Sequence, residues 1–175
     1  MKIIATVIIT ILVLIAAGIG FIYSGIYDVA AGKPHSALVV WTLSTTSGQS
    51  VRARAGSVKV PSDFDSLNTA KGFSRYHKIC ETCHGAPGVK PSEIGKGLNP
   101  KPPDLKKSAK ELSPSEIFWI VKHGIKMTGM PDFGKTYSDA ELWPLVAFVK
   151  RLPEVTDVEY KTMVQKAKAK KQEGT

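Results

Sequence analysis

The residues with the most chemistry in this chain lie within five positions: Cys80, Glu81, Thr82, Cys83 and His84. Cys80 and Cys83 are the only cysteines in 175 residues. Two thiols one helical turn apart with an imidazole immediately after them admit three chemistries: a redox disulfide, half of a zinc site, or covalent attachment of haem. In the haem reading the thiols add across the two vinyl groups of the macrocycle and the adjacent His84 is delivered to the iron. A structural zinc site wants four Cys or His ligands. The nearest helper, His77, sits on the same short helix and cannot close such a site.

A haem iron ligated by His84 needs a sixth ligand, and a soft methionine thioether suits an electron carrier because it raises the potential. Met127 and Met130 are the candidates, in the run Ile125-Lys-Met-Thr-Gly-Met-Pro-Asp-Phe-Gly134. Pro131 stiffens the chain beside Met130, and Phe133 follows two residues later. The competing role for either methionine is filling the core. His123 is a further candidate ligand, but it stands next to the helix-ending Gly124, where a cap is the commoner role.

The elements that position these residues can be read from patterning. The run Ser113-Pro114-Ser-Glu116 opens a helix with a cap-like serine and a proline, and Gly124 closes it. Its apolar residues, with Trp119 and Trp143, are expected in the core. Leu145 to Lys150 reads as an amphipathic helix. The stretch 89–101 is rich in proline and glycine and reads as a loop.

Ile3 to Tyr27 is almost wholly apolar, and no charge occurs between Lys2 and Asp28. As a helix it is roughly 36 Å long, enough to cross a hydrocarbon core of about 30 Å. A signal peptide has a shorter apolar stretch. Val29-Ala30-Ala31 has the look of a cleavage site, but the length of the run predicts an uncleaved single-pass anchor over residues 1–31. Tyr23 and Tyr27 stand where interfacial aromatics belong. Residues 32–67, rich in Ser, Thr and Gly, read as a linker with a short juxtamembrane helix around Ala37–Leu43. That helix is expected to lie on the membrane, to lie against the folded domain, or simply to connect.

The formal charge is +9, from 24 Lys and Arg against 15 Asp and Glu. A surplus of this size suits nucleic acid, an anionic membrane or an acidic protein. No nucleic-acid motif surrounds the lysines, so nucleic acid is not expected as a partner. Lys161, Lys166, Lys168, Lys170 and Lys171 thicken towards the end, and residues 154–175 read as a solvated basic tail. No feature specifies an oligomeric state.

Taken together over residues 68–153, the chain resembles the class I cytochromes c. Gly72, Tyr76 and Cys80 match that family's Gly-x-x-x-aromatic-x-x-x-Cys helix, in which the glycine lets the terminal helix cross closely. The terminal helix would be Leu145–Lys150, with Phe148 at the crossing. Pro103-Asp104-Leu105 resembles the family's Pro-x-Leu, whose proline carbonyl accepts a hydrogen bond from the ligating imidazole; Pro102 is its rival. The resemblance implies an all-α, cytochrome c-like haem domain behind a single transmembrane helix. It implies one haem c bound through Cys80 and Cys83, with His84 and Met130 as iron ligands and Pro103 as the positioning group.

With both axial positions filled, such a protein shuttles single electrons and is not an enzyme. Its partners are expected to be redox proteins with acidic docking surfaces, met by lysines such as Lys78, Lys90, Lys122, Lys126 and Lys135. A respiratory oxidase, a quinol-oxidising complex or a membrane dehydrogenase would each suit. In this family haem is attached outside the bacterial cytoplasmic membrane, so the domain is expected in the periplasm and Lys2 in the cytoplasm. Two other readings predict different behaviour: a gas- or peroxide-reactive haem protein with a labile sixth ligand, and a fixed cytochrome subunit of a larger oxidoreductase complex.

Overall fold

A computed structural model describes residues 1–173, with side chains described through residue 169. Within that range the chain is all-helical apart from an isolated bridge between Ala86 and Val89. It divides into two compact units, residues 1–34 and the remainder.

The first unit is helix α1 (Lys2–Tyr23) with a short irregular extension. Its 22 residues span about 33 Å. By length and composition it is apolar enough to cross a membrane. The hydroxyls of Thr6 and Thr10 donate to the carbonyls of Lys2 (3.0 Å) and Thr6 (2.9 Å), so these polar groups carry their own partners into an apolar medium.

The second unit begins with α2 (Ala37–Ala55), capped by Ser36, whose Oγ accepts from the Val39 N–H. This helix is far longer than the short segment expected around Ala37–Leu43. Its second half buries Val51 and Ala55 and packs on α7, so the span 32–67 is in good part structural rather than a spacer. The uniform Ser/Thr content that suggested a linker is tolerated because helix propensity is a weak prior against tertiary packing.

Next comes α3 (Thr69–Arg75), capped by Asn68, which accepts from the N–H groups of Ala70 and Lys71. The chain continues without a break through a π-helical segment (Tyr76–Cys80) into α4 (Glu81–His84). A short α5 (Glu93–Gly97) lies within the expected loop. Then follow α6 (Leu105–Glu111), α7 (Pro114–His123), α8 (Asp139–Arg151) and α9 (Asp157–Glu173). Ser113 caps α7 as expected, and Glu116 makes the contact reciprocal, a capping box: Ser113 N–H donates to Glu116 Oε2 at 2.8 Å and Glu116 N–H to Ser113 Oγ at 3.2 Å.

The centre of the unit is the crossing of α3 and α8. A Cβ placed on Gly72 would lie 2.0 Å from the Pro144 carbonyl oxygen and 2.8 Å from Phe148 Cβ. Only the absence of a side chain permits the approach. Phe148 is fully buried, with its ring 5.6 Å from that of Phe73 and 5.4 Å from that of Tyr76. Leu142, Leu145 and Val146 line the same face of α8. Trp143 is buried and stacks on Phe118 at 4.1 Å, whereas Trp119 is only half-buried.

The segment expected to be a solvated tail is largely α9. Tyr160 is fully buried, edge-on to Phe73 (5.5 Å) and Tyr76 (6.5 Å), and Met163 and Val164 pack behind it. Arg151 pairs with Glu159 at 2.6 Å and ties the end of α8 to α9. The lysines mask this amphipathic face because they occupy the outward positions. Gly174 and Thr175, and the side chains of Lys170 and Lys171, fall outside the described residues.

Candidate haem site

Cys80 closes the π-helical segment and Cys83 lies one turn on in α4. A single turn of wider helix is a local distortion of the kind that recurs at functional sites. Both thiols are free, Cys80 buried and Cys83 half-buried. Burial, with the neighbouring Cys83 adding to it, pushes the Cys80 thiol up to about 12. A redox or metal-binding thiol needs the opposite, a stabilised thiolate. Nor does any group of three or more His, Cys, Asp or Glu converge as a metal cage among the described residues.

His84 ends α4. Its Nδ1 lies 2.9 Å from the carbonyl oxygen of Pro103, 19 residues on. A carbonyl can only accept, so Nδ1 carries the proton and Nε2 keeps its lone pair. Burial lowers the His84 pKa, and the hydrogen bond to Pro103 works against this as the smaller effect. The ring is thus held neutral, in one tautomer and one orientation, with the free nitrogen suited to a metal. It is Pro103, not Pro102, whose carbonyl takes the bond.

The loop after α7 fixes Met130 by its backbone. Gly124 has φ +64°, and a Cβ there would stand 2.6 Å from the Met130 carbonyl oxygen. Ile125 N–H donates to that carbonyl at 3.2 Å. The Thr128 hydroxyl donates to the Ile125 carbonyl (2.8 Å) and accepts from the Met130 N–H (3.1 Å). Met130 is half-buried and packs against the same apolar cluster that contains Cys80. Met127, by contrast, is 89% exposed and sits at φ +59°, turned out of the domain. His123 is exposed at the end of α7, its ring 4.9 Å from that of Trp119.

Several supporting groups escape a reading of sequence alone. Glu81, between the two cysteines, receives the Tyr160 hydroxyl of α9 and lies 2.6 Å from His77 Nδ1. Burial and that hydrogen bond raise the Tyr160 pKa, so the phenol is a fixed donor. The spacing of His77 and Glu81, four residues on a helix, signals half of this network; the Tyr160 half needs the tertiary fold. The buried Tyr76 hydroxyl donates to the Gly85 carbonyl at 2.7 Å, pinning the residue that follows His84. Gly95 of α5 rests on the same turn, where a Cβ would lie 2.8 Å from the Thr82 carbonyl oxygen and 2.9 Å from Cys83 Cα.

Of the candidate docking lysines, Lys78, Lys90, Lys126 and Lys135 are exposed. Lys122 is drawn inward, 2.6 Å from Asp139 and over the ring of Phe118. Lys150 donates to the carbonyls of Ala109 (2.6 Å) and Leu112 (2.9 Å) and caps the end of α6.

Two free thiols in one turn, an imidazole with Nε2 available and, packed on the cluster that contains Cys80, a half-buried thioether are the kinds of group that haem c takes as attachments and ligands. Residues 67–149 match the family model described as cytochrome c oxidase, cbb3-type, subunit III. The matched segment begins just before α3, ends within α8 and spans a little under half of the chain. Comparison with curated proteins and with solved structures gives no match. The matched segment, the all-helical fold and the α3–α8 crossing agree: residues 67–149 form a c-type cytochrome domain, of the class I haem-based electron-transfer kind, and the N-terminal apolar helix fits a membrane anchor.

Proposed function

We propose that the chain holds one haem c, through thioethers at Cys80 and Cys83 and with His84 Nε2 and Met130 Sδ as the axial ligands, and that it relays single electrons between redox proteins at a membrane surface. When bound, haem supplies a one-electron iron couple, and a thioether ligand biases that couple towards the reduced state. The observation that carries the reading is the 2.9 Å contact between His84 Nδ1 and the Pro103 carbonyl, because it leaves Nε2 as the only nitrogen able to bind iron. The closed turn around Thr128 supports Met130 over Met127 as the second ligand.

With both positions taken by protein groups, no site is left for a substrate, and the role is that of a carrier rather than an enzyme. The haem domain is assigned to residues 68–153, with α2 and α9 as structural additions to it. The domain is placed on the periplasmic side, where haem is attached in this family, with Lys2 in the cytoplasm. Exposed Lys78, Lys90, Lys126 and Lys135 suit partners with acidic docking surfaces, through which charge steers the encounter.

The test is the optical spectrum of the purified protein in both oxidation states. A weak long-wavelength sulfur-to-iron band and indifference of the reduced protein to carbon monoxide are expected. Rapid carbon monoxide binding with no sulfur band would replace this reading with a gas- or peroxide-reactive haem protein.

The description of the matched family model favours one second reading, that the chain is a fixed cytochrome subunit of a larger oxidoreductase complex. Purification in mild detergent separates the two. Co-purification of stoichiometric partner subunits supports the complex, and a lone chain of the expected mass supports the free carrier.

A further inference from the structure

We propose that the first two turns of α2, Ala37 to Leu43, insert into the headgroup and upper acyl region of the bilayer that anchors α1, so that α2 props the haem domain on the membrane surface. The helix is divided in its chemistry. Its second half is committed to the domain, with Val51 and Ala55 buried against α7. Its first half leaves Leu38 (70%), Trp41 (64%), Val40 and Leu43 exposed, four large apolar side chains within six residues. No charged residue occurs from Pro34 through Val51.

The distribution of these side chains selects the occupant. At about 100° per residue, Leu38, Val39, Val40, Trp41 and Leu43 point around the whole cylinder rather than along one stripe. A groove on a partner protein or a second copy would cover one side and leave the others in water. A medium that surrounds the helix end covers them all. Seven residues rise about 10 Å, which matches the depth of an interfacial segment. Trp41 belongs at headgroup level, where its indole N–H stays wet.

The backbone and hydroxyls are prepared for this. Ser36 caps the Val39 N–H, Thr42 Oγ1 donates to the Leu38 carbonyl at 2.8 Å, and Ser44 Oγ donates to the Trp41 carbonyl at 3.2 Å. Arg52 and Arg54 lie about 22 Å or more along the helix from Ala37 and remain in water. Only residues 24–36 separate the end of α1 from the start of α2, a tether of at most about 45 Å. The apolar end is therefore held at high local concentration beside the surface.

The experiment places nitroxide labels on the full-length haem-loaded protein in vesicles of phosphatidylcholine and phosphatidylglycerol, with unsubstituted protein as the labelling background. Three variants are compared, Val7→Cys in α1, Leu38→Cys and Ser50→Cys, by power saturation with oxygen and with a water-soluble nickel chelate. Positions 7 and 38 are expected to favour oxygen several-fold over nickel, and position 50 the reverse. A lipid-like position 7 with a nickel-accessible position 38 overturns the proposal. A nickel-accessible position 7 overturns it too, by removing the anchor on which it rests. Spin–spin broadening at position 38 that disappears on dilution with unlabelled protein also overturns it, since a second copy then covers the helix end.

Discussion

The two sides of the candidate haem site are built differently. Cys80, Cys83 and His84 ride on a continuous helical run that crosses α8 at Gly72, and His84 is then fixed by a side-chain contact to Pro103. Met130 sits on a turn closed by its own backbone and one threonine hydroxyl. The first side is anchored in the core of the domain, the second by a handful of local bonds. On the proposed assignment, this construction would keep the attachment rigid and leave the second ligand where small changes can tune it. The comparison predicts that damage to the helical side costs the fold or the cofactor, whereas damage to the loop side changes ligand chemistry in a protein that remains folded.

The largest effect expected is on the helical side. Replacing Cys80 and Cys83 together with alanine should abolish covalent haem, so that acidified acetone extracts all of it from the variant and none from the parent. Haem that stayed with the polypeptide after that treatment would overturn the attachment assignment.

Gly72→Ala should follow in size. Its methyl group would meet the Pro144 carbonyl at 2.0 Å, and backbone cannot rotate away as a side chain can. A loss of about 3 kcal/mol is expected, measured by chemical denaturation of the haem-loaded protein. Gly97→Ala, where nothing lies within 4 Å, provides the control and should be close to neutral. Equal losses at both positions would mean that the α3–α8 crossing is not what the glycine serves.

On the loop side, Met130→Ala should leave a folded domain whose reduced form binds carbon monoxide, whose sulfur band is gone and whose potential is lower. Met127→Leu should change none of these, since Met127 is turned into solvent. If Met127 proved the sensitive position, the ligand assignment would fall while the helical side stood untouched.

How much of this was open to a reader of the sequence follows from the range of the forces involved. Local signals transferred well: the Ser113 cap of α7 and the apolar α1 are each written in a few neighbouring residues. Gly72, Phe148 and Pro103 were reachable only through resemblance to a family, because nothing local marks a contact across 60 or more residues or a carbonyl 19 residues away. The flanks were misread where composition stood in for packing. The Ser- and Thr-rich stretch that suggested a linker continues as α2 to Ala55, and the lysine-rich end forms α9 with Tyr160 at the centre of an aromatic cluster. In both, one or two buried residues per turn decide the structure while the exposed majority sets the composition. Glu81 had the opposite problem, since its spacing to His77 was visible but its partner Tyr160 lies 79 residues further on.

The smallest effect sharpens the comparison most. Thr128→Val keeps the shape of the side chain but removes the oxygen that accepts from the Met130 N–H, leaving a half-buried donor without that partner. The expected penalty is about 1 kcal/mol. Because the bond is local to the turn, the penalty should fall on the closed loop rather than on the domain, and a shift of that size makes the open loop about fivefold more populated. Carbon monoxide uptake by the reduced protein, which requires Met130 to leave, should rise by about the same factor, with the sulfur band still present at equilibrium. Tyr76→Phe supplies the matched change on the other side, deleting the buried hydroxyl that donates to the Gly85 carbonyl. It should lower global stability by about 1 kcal/mol or somewhat more and leave carbon monoxide uptake as it was. If the two variants behaved alike, the two sides would share one cooperative unit, and the separation of a rigid ligand from an adjustable one would have no basis in this fold.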